Sequence, residues 1–324
     1  MVMDLLGQDA VMERLLGAAR AGALHHCYLF EGPPSVGKHT LAVRLAREAA
    51  CTTDDVDTCQ VAGQMLRGLH PDLLLLEPDP SRKSRTIGVG QVRSLISKLR
   101  LRPYAARWRT VIVDPADGLM PQAANALLKT LEEPPADTGF FLITSQPSAL
   151  LPTVLSRCLR VRFRALPEES LVPWLRERGV AEPERVAKLS MGCPGQALAL
   201  ADEGLKEFDA ARSLLLELVA ADAATRAKKL EVLARGAKGK ATLDLLHRCL
   251  ETLLRDCVAQ VAGRPLIHSD EPELVARWAA ALWPSGVERL QRALDQARQR
   301  LQIFVNRRLV EEALLARVAQ ELGA

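Results

Sequence analysis

Aromatic residues are scarce in this chain: 6 Phe, 4 Trp and 2 Tyr make up 4% of its 324 residues. Sandwiches and barrels rely on aromatic and β-branched side chains, so this scarcity, beside abundant Ala, Leu and Arg, favours helix over extensive sheet. Long apolar runs are absent too. Leu73–Leu76 and Phe140–Ile143 are strand-sized, well short of the roughly 20 residues that cross a bilayer. No sign of charge dominates: 43 Lys and Arg against 39 Asp and Glu leave +4, compatible with work near nucleic acid without demanding it. The 7 cysteines are an odd set, which argues against a disulfide framework. Met1–Leu5 shows no basic segment followed by an apolar one, so no secretion signal is expected and the reading is cytoplasmic. Internal repeats and low-complexity tracts are missing as well. What is there, 48% apolar and 25% charged residues, is ordinary for a globular protein long enough for two or three domains.

Strand-like and helix-like segments alternate through the first half. Tyr28–Glu31, Leu73–Leu76, Thr110–Val113, Phe140–Thr144 and Leu159–Phe163 read as strands, with helices at Gln91–Leu99 and Gln122–Leu131 between them. Such alternation implies an α/β fold, a parallel sheet covered on both faces. Uniformly apolar stretches such as Val111-Ile112-Val113 fit strands buried on both sides. Beyond Arg164 the strand signals stop. Pro167–Leu200 reads as a small helical unit with a turn at Gly192-Cys193-Pro194-Gly195, and from about Leu205 everything reads as helix. Val287, Leu290, Leu294, Ala297 and Leu301 form an apolar stripe at helical spacing, which needs a neighbouring helix to cover it. Cys249 and Cys257 fall on the apolar face of Leu246, Leu250, Leu253 and Leu254, where buried thiols are the default. The expected organisation is an α/β domain at 1–165, a helical lid at 166–204 and an all-helical domain at 205–324.

The segment Gly32-Pro33-Pro34-Ser35-Val36-Gly37-Lys38-His39-Thr40 follows the first strand and leads into a helical pattern at Leu41, Leu45 and Ala49. A phosphate-binding loop requires that setting: Gly32 and Gly37 let the backbone turn, its amides face phosphate, and Lys38 adds a point charge. The next position should carry a hydroxyl for magnesium, and here it is His39. Thr40 lies one residue further, about 100° round the helix, and is a poor substitute. A strand ending in Asp114 supplies the carboxylate that orients magnesium in such folds. The following residue, where a glutamate would polarise water, is Pro115. Two losses on one pathway suggest a loop that holds ATP or ADP without hydrolysing it. The plainer reading is a relic loop kept for the fold, with Asp114-Pro115 as a turn opening.

Ala123-Ala124-Asn125-Ala126-Leu127-Leu128-Lys129-Thr130-Leu131-Glu132-Glu133-Pro134-Pro135 is more particular than an amphipathic helix stopped by prolines. Together with Leu6-Gly7-Gln8, His26–Phe30, His70-Pro71-Asp72 and Ser156-Arg157-Cys158, it resembles the clamp-loader branch of the AAA+ ATPases, over at least Leu6 to Ala199. The resemblance implies an AAA+ domain, a lid and a C-terminal oligomerising collar, in a multi-subunit loader that places a sliding clamp on primed DNA. It implies that Arg157 is an arginine finger reaching a neighbour's nucleotide, since a planar, always charged fork suits a γ-phosphoryl transition state. An isolated surface arginine is the alternative. Thr144 matches the first sensor position, and Gln196 stands where motor subunits carry a second-sensor arginine. Losses at His39 and Pro115 beside a retained Arg157 resemble the family's non-hydrolysing stator members. Their partners are the motor subunits and the clamp-gripping subunit; the clamp is reached indirectly, and no membrane is involved. The alternatives are an active motor ATPase, or a subunit that binds ATP for assembly without turnover. DNA contacts would go to phosphates, with Arg100, Arg102 and Arg107 as candidates. Many relatives bind zinc through four cysteines; Cys51 and Cys59 match the first two places, but Ala62 and Met65 hold the others, so no zinc is expected.

Overall fold

The computed structural model describes residues 5–51, 56–57, 59–79, 86–201, 203–302 and 306–323. The chain divides into two compact units, Met1–Trp174 with Met191–Gln196, and Leu175–Ser190 with Ala197–Ala324. The stretch 166–204, expected as a lid, is shared between them.

In the first unit the elements run α1 (Asp9–Arg20), β1 (Cys27–Glu31), α2 (Lys38–Ala50), α3 (Gln60–Leu66), β2 (Leu73–Leu76), α4 (Val89–Leu99), β3 (Arg109–Val113), α5 (Pro121–Glu132), β4 (Thr138–Thr144), α6 (Pro152–Leu155) and β5 (Leu159–Arg162). All five strands are parallel, in the order β2-β3-β4-β1-β5. Strand alternation splits the core into two layers. Tyr28 and Phe30 face a cluster with Leu41, Leu45 and Ala49 of α2 and Leu15 and Leu16 of α1. Cys27 and Leu29 face the other, with Val92 and Leu95 of α4 and Leu127 and Leu131 of α5. The few aromatics are concentrated here: the Phe30 ring centroid lies 5.3 Å from that of Phe141 and 5.0 Å from that of Phe163. Pro121 opens α5, where its missing N–H costs nothing, and Pro134-Pro135 follow its end at Glu132. Cys51, Cys59 and Ala62 form a small hydrophobic cluster with Val56 and Val61 against it.

The remaining helices are α7 (Glu168–Glu177), α8 (Pro183–Leu189), α9 (Pro194–Leu200), α10 (Glu203–Ala220), α11 (Ala223–Leu233), α12 (Gly236–Val261), α13 (Pro272–Leu282), α14 (Ser285–Gln302) and α15 (Arg307–Leu322). In the second unit Cys249 and Cys257 are fully buried with the leucines of α12, as their spacing predicts, and burial raises both thiol pKa values to about 12. The stripe on α14 is covered within the chain: Val287, Leu290, Leu294 and Ala297 are buried, with Leu301 half-buried. It is therefore not the surface a collar partner would take. Two buried hydrogen-bonded pairs tie this unit together, His247 with Glu311 at 2.7 Å and His268 with Asp256 at 2.8 Å. Among the described residues, no helix is long and apolar enough to cross a membrane.

Candidate functional site

Because the strands are parallel, whatever follows a strand gathers at one edge of the sheet and whatever precedes a strand gathers at the other. Gly32–Lys38 follows β1, Asp114 follows β3 and Thr144 ends β4, so the phosphate-loop residues collect at the C-terminal edge. The loop geometry depends on its glycines. Gly37 has φ 101°, open to glycine alone without strain, and a Cβ on Gly32 would meet the Phe163 carbonyl oxygen at 2.4 Å. The Gly195 amide donates to the Ser35 carbonyl at 3.0 Å, fastening the loop to the Gly192–Gly195 turn.

Lys38 is buried, and its Nζ donates to the carbonyls of Gly32 at 2.7 Å and Pro33 at 2.6 Å. Burial lowers its pKa, opposed by the charges of Asp114, Cys193 and Asp117. An anionic phosphate here would relieve a cation held out of water.

Next to it, the structure makes a contact that the sequence does not announce. His39 Nδ1 lies 2.9 Å from Asp114 Oδ2. The hydrogen bond to that carboxylate raises the His39 pKa, with burial opposing it. The residue standing in for the magnesium hydroxyl thus binds the carboxylate that would orient the metal. Thr40 is half-buried on α2. Thr144 Oγ1 donates to Asp117 Oδ1 at 2.5 Å and accepts from the Gln146 amide at 2.9 Å, so this sensor-position hydroxyl is already engaged. Gln196 leaves its buried Oε1 unpartnered and offers no charge to a γ-phosphate. These residues do not fit magnesium: no hydroxyl flanks Lys38, and Asp114 is shared with an imidazole.

Arg157 lies elsewhere. It precedes β5, at the N-terminal edge, and β1 alone places about 15 Å between the edges. The structure therefore does not bring Arg157 together with Lys38, Asp114 or Thr144. Its Nε donates to Glu132 Oε1 at 2.8 Å and its Nη1 to the Thr153 carbonyl at 2.6 Å, with Nη2 also on Glu132. Cys158 anchors the same segment to the start of β1, its Sγ 3.2 Å from Cys27 Sγ.

The N-terminal edge also holds a buried knot. Asp72 accepts from the amides of Tyr104, Ala105 and Ala106 and from the Arg109 guanidinium at 3.2 Å. Arg109 in turn donates to the carbonyls of Leu101 and Arg102 at 2.7 Å each. The basic loop is thereby pinned at both ends. Arg107 Nη2 donates to the Ala19 carbonyl at 3.1 Å, so of the three candidate phosphate ligands this one is spent in part on the fold. The pairings of Glu132 and Arg109 escape sequence reasoning; the local signals were Glu132 inside the Ala123–Pro135 motif and Asp72 inside His70-Pro71-Asp72.

Residues 7–167 match the family model described as DNA polymerase III, delta subunit, and residues 206–320 match that of its C-terminal part. The chain is 33% identical over 322 residues to DNA polymerase III subunit delta' of Escherichia coli K12, covering 96% of this chain and 93% of that protein. It is 34% identical over 227 residues to subunit delta' of Pseudomonas aeruginosa PAO1, covering 66% and 68%. Among solved structures, a DNA polymerase III gamma subunit-related protein from Thermotoga maritima aligns with TM-score 0.44 at 19% identity, over 96% of this chain and 99% of that one.

Proposed function

The chain belongs to the DNA polymerase III delta-subunit family, among the delta' subunits, and on that premise we propose that it is a non-hydrolysing stator of the clamp loader that donates Arg157 in trans to a motor subunit's ATP. The observation that carries this reading is the placement of the two groups. Arg157 sits at the sheet edge opposite this chain's own phosphate loop, which supports a role toward a neighbour's nucleotide over one toward its own. Glu132 and the Thr153 carbonyl hold its guanidinium, and the side chain stays 28% exposed. Meanwhile His39 and Asp114 engage each other, and Pro115 has no proton acceptor for an attacking water. Motor subunits of the assembly, the clamp-gripping subunit and primed DNA are its partners on this reading, with Arg100 and Arg102 meeting phosphates.

The test is ATP hydrolysis by the complex of this chain with its motor subunits, wild type against Arg157→Ala. The isolated chain should hydrolyse no ATP. The substitution should lower turnover at the site it serves by roughly 10³-fold. Hydrolysis by the isolated chain, together with an unchanged rate for the Arg157→Ala complex, would replace the stator with a motor.

A further inference from the structure

We propose that Cys27 and Cys158 are a site of reversible oxidation, closed to a disulfide by hydrogen peroxide, and that the bridge restrains the segment carrying Arg157. The oxidation is independent of the stator reading; its effect on turnover rests on that reading. The two thiols come from different elements and meet at one point. β1 begins at Cys27, and Cys158 directly precedes β5. The strands pair Tyr28 with Leu159, so the cysteines stand one step before that pair. Neighbouring strands run about 4.8 Å apart, within the roughly 4.4–6.8 Å that a disulfide spans between Cα atoms. The sulfurs already lie 3.2 Å apart, and about 1 Å of side-chain movement brings them to bonding distance.

The hydrogens set the order of the chemistry. The Cys158 S–H donates to the Val154 carbonyl at 3.2 Å. A thiol has one hydrogen, so across the pair Cys27 donates and Cys158 accepts. That bond holds the Cys158 pKa below the ordinary thiol value, against burial, and the same bond together with burial raises that of Cys27. Cys158 is also part-exposed, whereas the other cysteines are buried. It is therefore the sulfur that meets the oxidant. Its thiolate attacks one peroxide oxygen, the O–O bond breaks, and the departing hydroxide takes up the proton that Cys158 lost. The Cys27 sulfur then attacks the Cys158 sulfenic acid, the S–O bond breaks, and the Cys27 proton completes a second water. Two thiols are oxidised to one disulfide, and one peroxide is reduced to two waters. The bridge removes the hydrogen that Cys158 gave to Val154, in the same α6 turn whose Thr153 carbonyl holds Arg157 Nη1 at 2.6 Å. It also ties the residue after Arg157 covalently to β1, so the guanidinium loses freedom to leave Glu132 for a neighbour's phosphate.

The experiment treats the full chain with hydrogen peroxide, removes the oxidant and digests the chain for mass spectrometry without reductant. The peptides of Cys27 and Cys158 should appear joined, lighter by the two hydrogens lost, and should separate with dithiothreitol. In Cys27→Ala the reaction should stop at a Cys158 sulfenic acid, which dimedone traps, and Cys158→Ala should leave Cys27 a thiol. A thermal melt shows that both variants fold. The bridged wild-type chain is then assembled with its motor subunits, where ATP turnover at the served site should fall several-fold and recover with dithiothreitol. Peroxide that leaves both thiols intact would overturn the proposal, as would a wild-type chain that stops at the sulfenic acid without a bridge. So would a bridged chain whose complex turns over at the unbridged rate while Arg157→Ala slows it. If Arg157→Ala itself has no effect, the stator reading fails and the effect on turnover falls with it, while the mass spectrum still decides the bridge.

Discussion

The two edges of the sheet both carry ion pairs, and the pairs differ in kind. At the N-terminal edge Asp72 and Arg109 are almost wholly buried, Asp72 bonded to three loop amides and Arg109 to two loop carbonyls. At the C-terminal edge His39 and Asp114 meet at 2.9 Å with 40% and 27% of their side chains exposed. The first is a structural joint whose loss leaves a charge stranded out of water. The second is a half-solvated contact of little energetic weight, placed where a metal and a phosphate would otherwise be read. The comparison shows why chemistry could be lost at one edge while the scaffold stayed intact: the groups that set stability are not those that set the nucleotide chemistry.

The largest effect should come from breaking the buried joint. Asp72→Asn keeps the shape but leaves Arg109 uncompensated, a change that costs about 3–5 kcal/mol in comparable buried pairs. Urea unfolding should show a lower midpoint at an unchanged slope. Burial alone would raise the Asp72 pKa, but the amides of Tyr104, Ala105 and Ala106 and the Arg109 guanidinium hold it below the usual carboxylate value. Its contribution is thus fully present above the unfolded value near 4 and is lost as pH falls through the lower folded value. Wild type and Asp72→Asn should converge in stability only in acid. Equal midpoints at pH 7 would mean that the joint is not what holds this edge.

A smaller effect is expected where the N-terminal edge meets its proposed chemistry. Glu132→Ala removes the carboxylate that aims Arg157, a partly exposed pair worth at most about 1 kcal/mol to folding. Its mark should be on rate. In the complex, turnover at the served site should fall several-fold, with KM for ATP unchanged and Glu132→Gln recovering part of the loss. A drop in melting temperature with the rate intact would make Glu132 a structural residue only.

Most of the sheet was legible because its signals are local. The strand at 110–113 is apolar over Val111–Val113 and extends by only one residue, to Arg109, and Phe140–Thr144 extends by two, to Thr138. Parallel strands buried on both faces carry that signature in any order. The strand order, by contrast, is set by crossovers, and with it which motifs share an edge. The pairings are further from local pattern: His39 reaches Asp114 across 75 positions and Arg157 reaches Glu132 across 25. Each residue alone reads as polar surface. The α14 stripe shows the reverse limit, since periodicity says that a face is covered and not by whom.

The smallest effect is the one that tells the two edges apart by sign. His39 takes its raised pKa from the hydrogen bond to Asp114, against burial. A raised folded value means that the pair's stability is fully present below the unfolded value near 6.5 and is lost as pH rises through the folded one. Exposure discounts its size to about 0.5 kcal/mol. The gap between wild type and His39→Ala should therefore be measurable near pH 6 and close as pH rises through the raised folded value, whereas the Asp72→Asn gap persists through that range and closes only in acid. Chemical denaturation at four or five pH values resolves both trends in one series. A His39→Ala gap that instead grew toward alkaline pH would place a neutral ring against Asp114, and the imidazolium would then have no part at this edge.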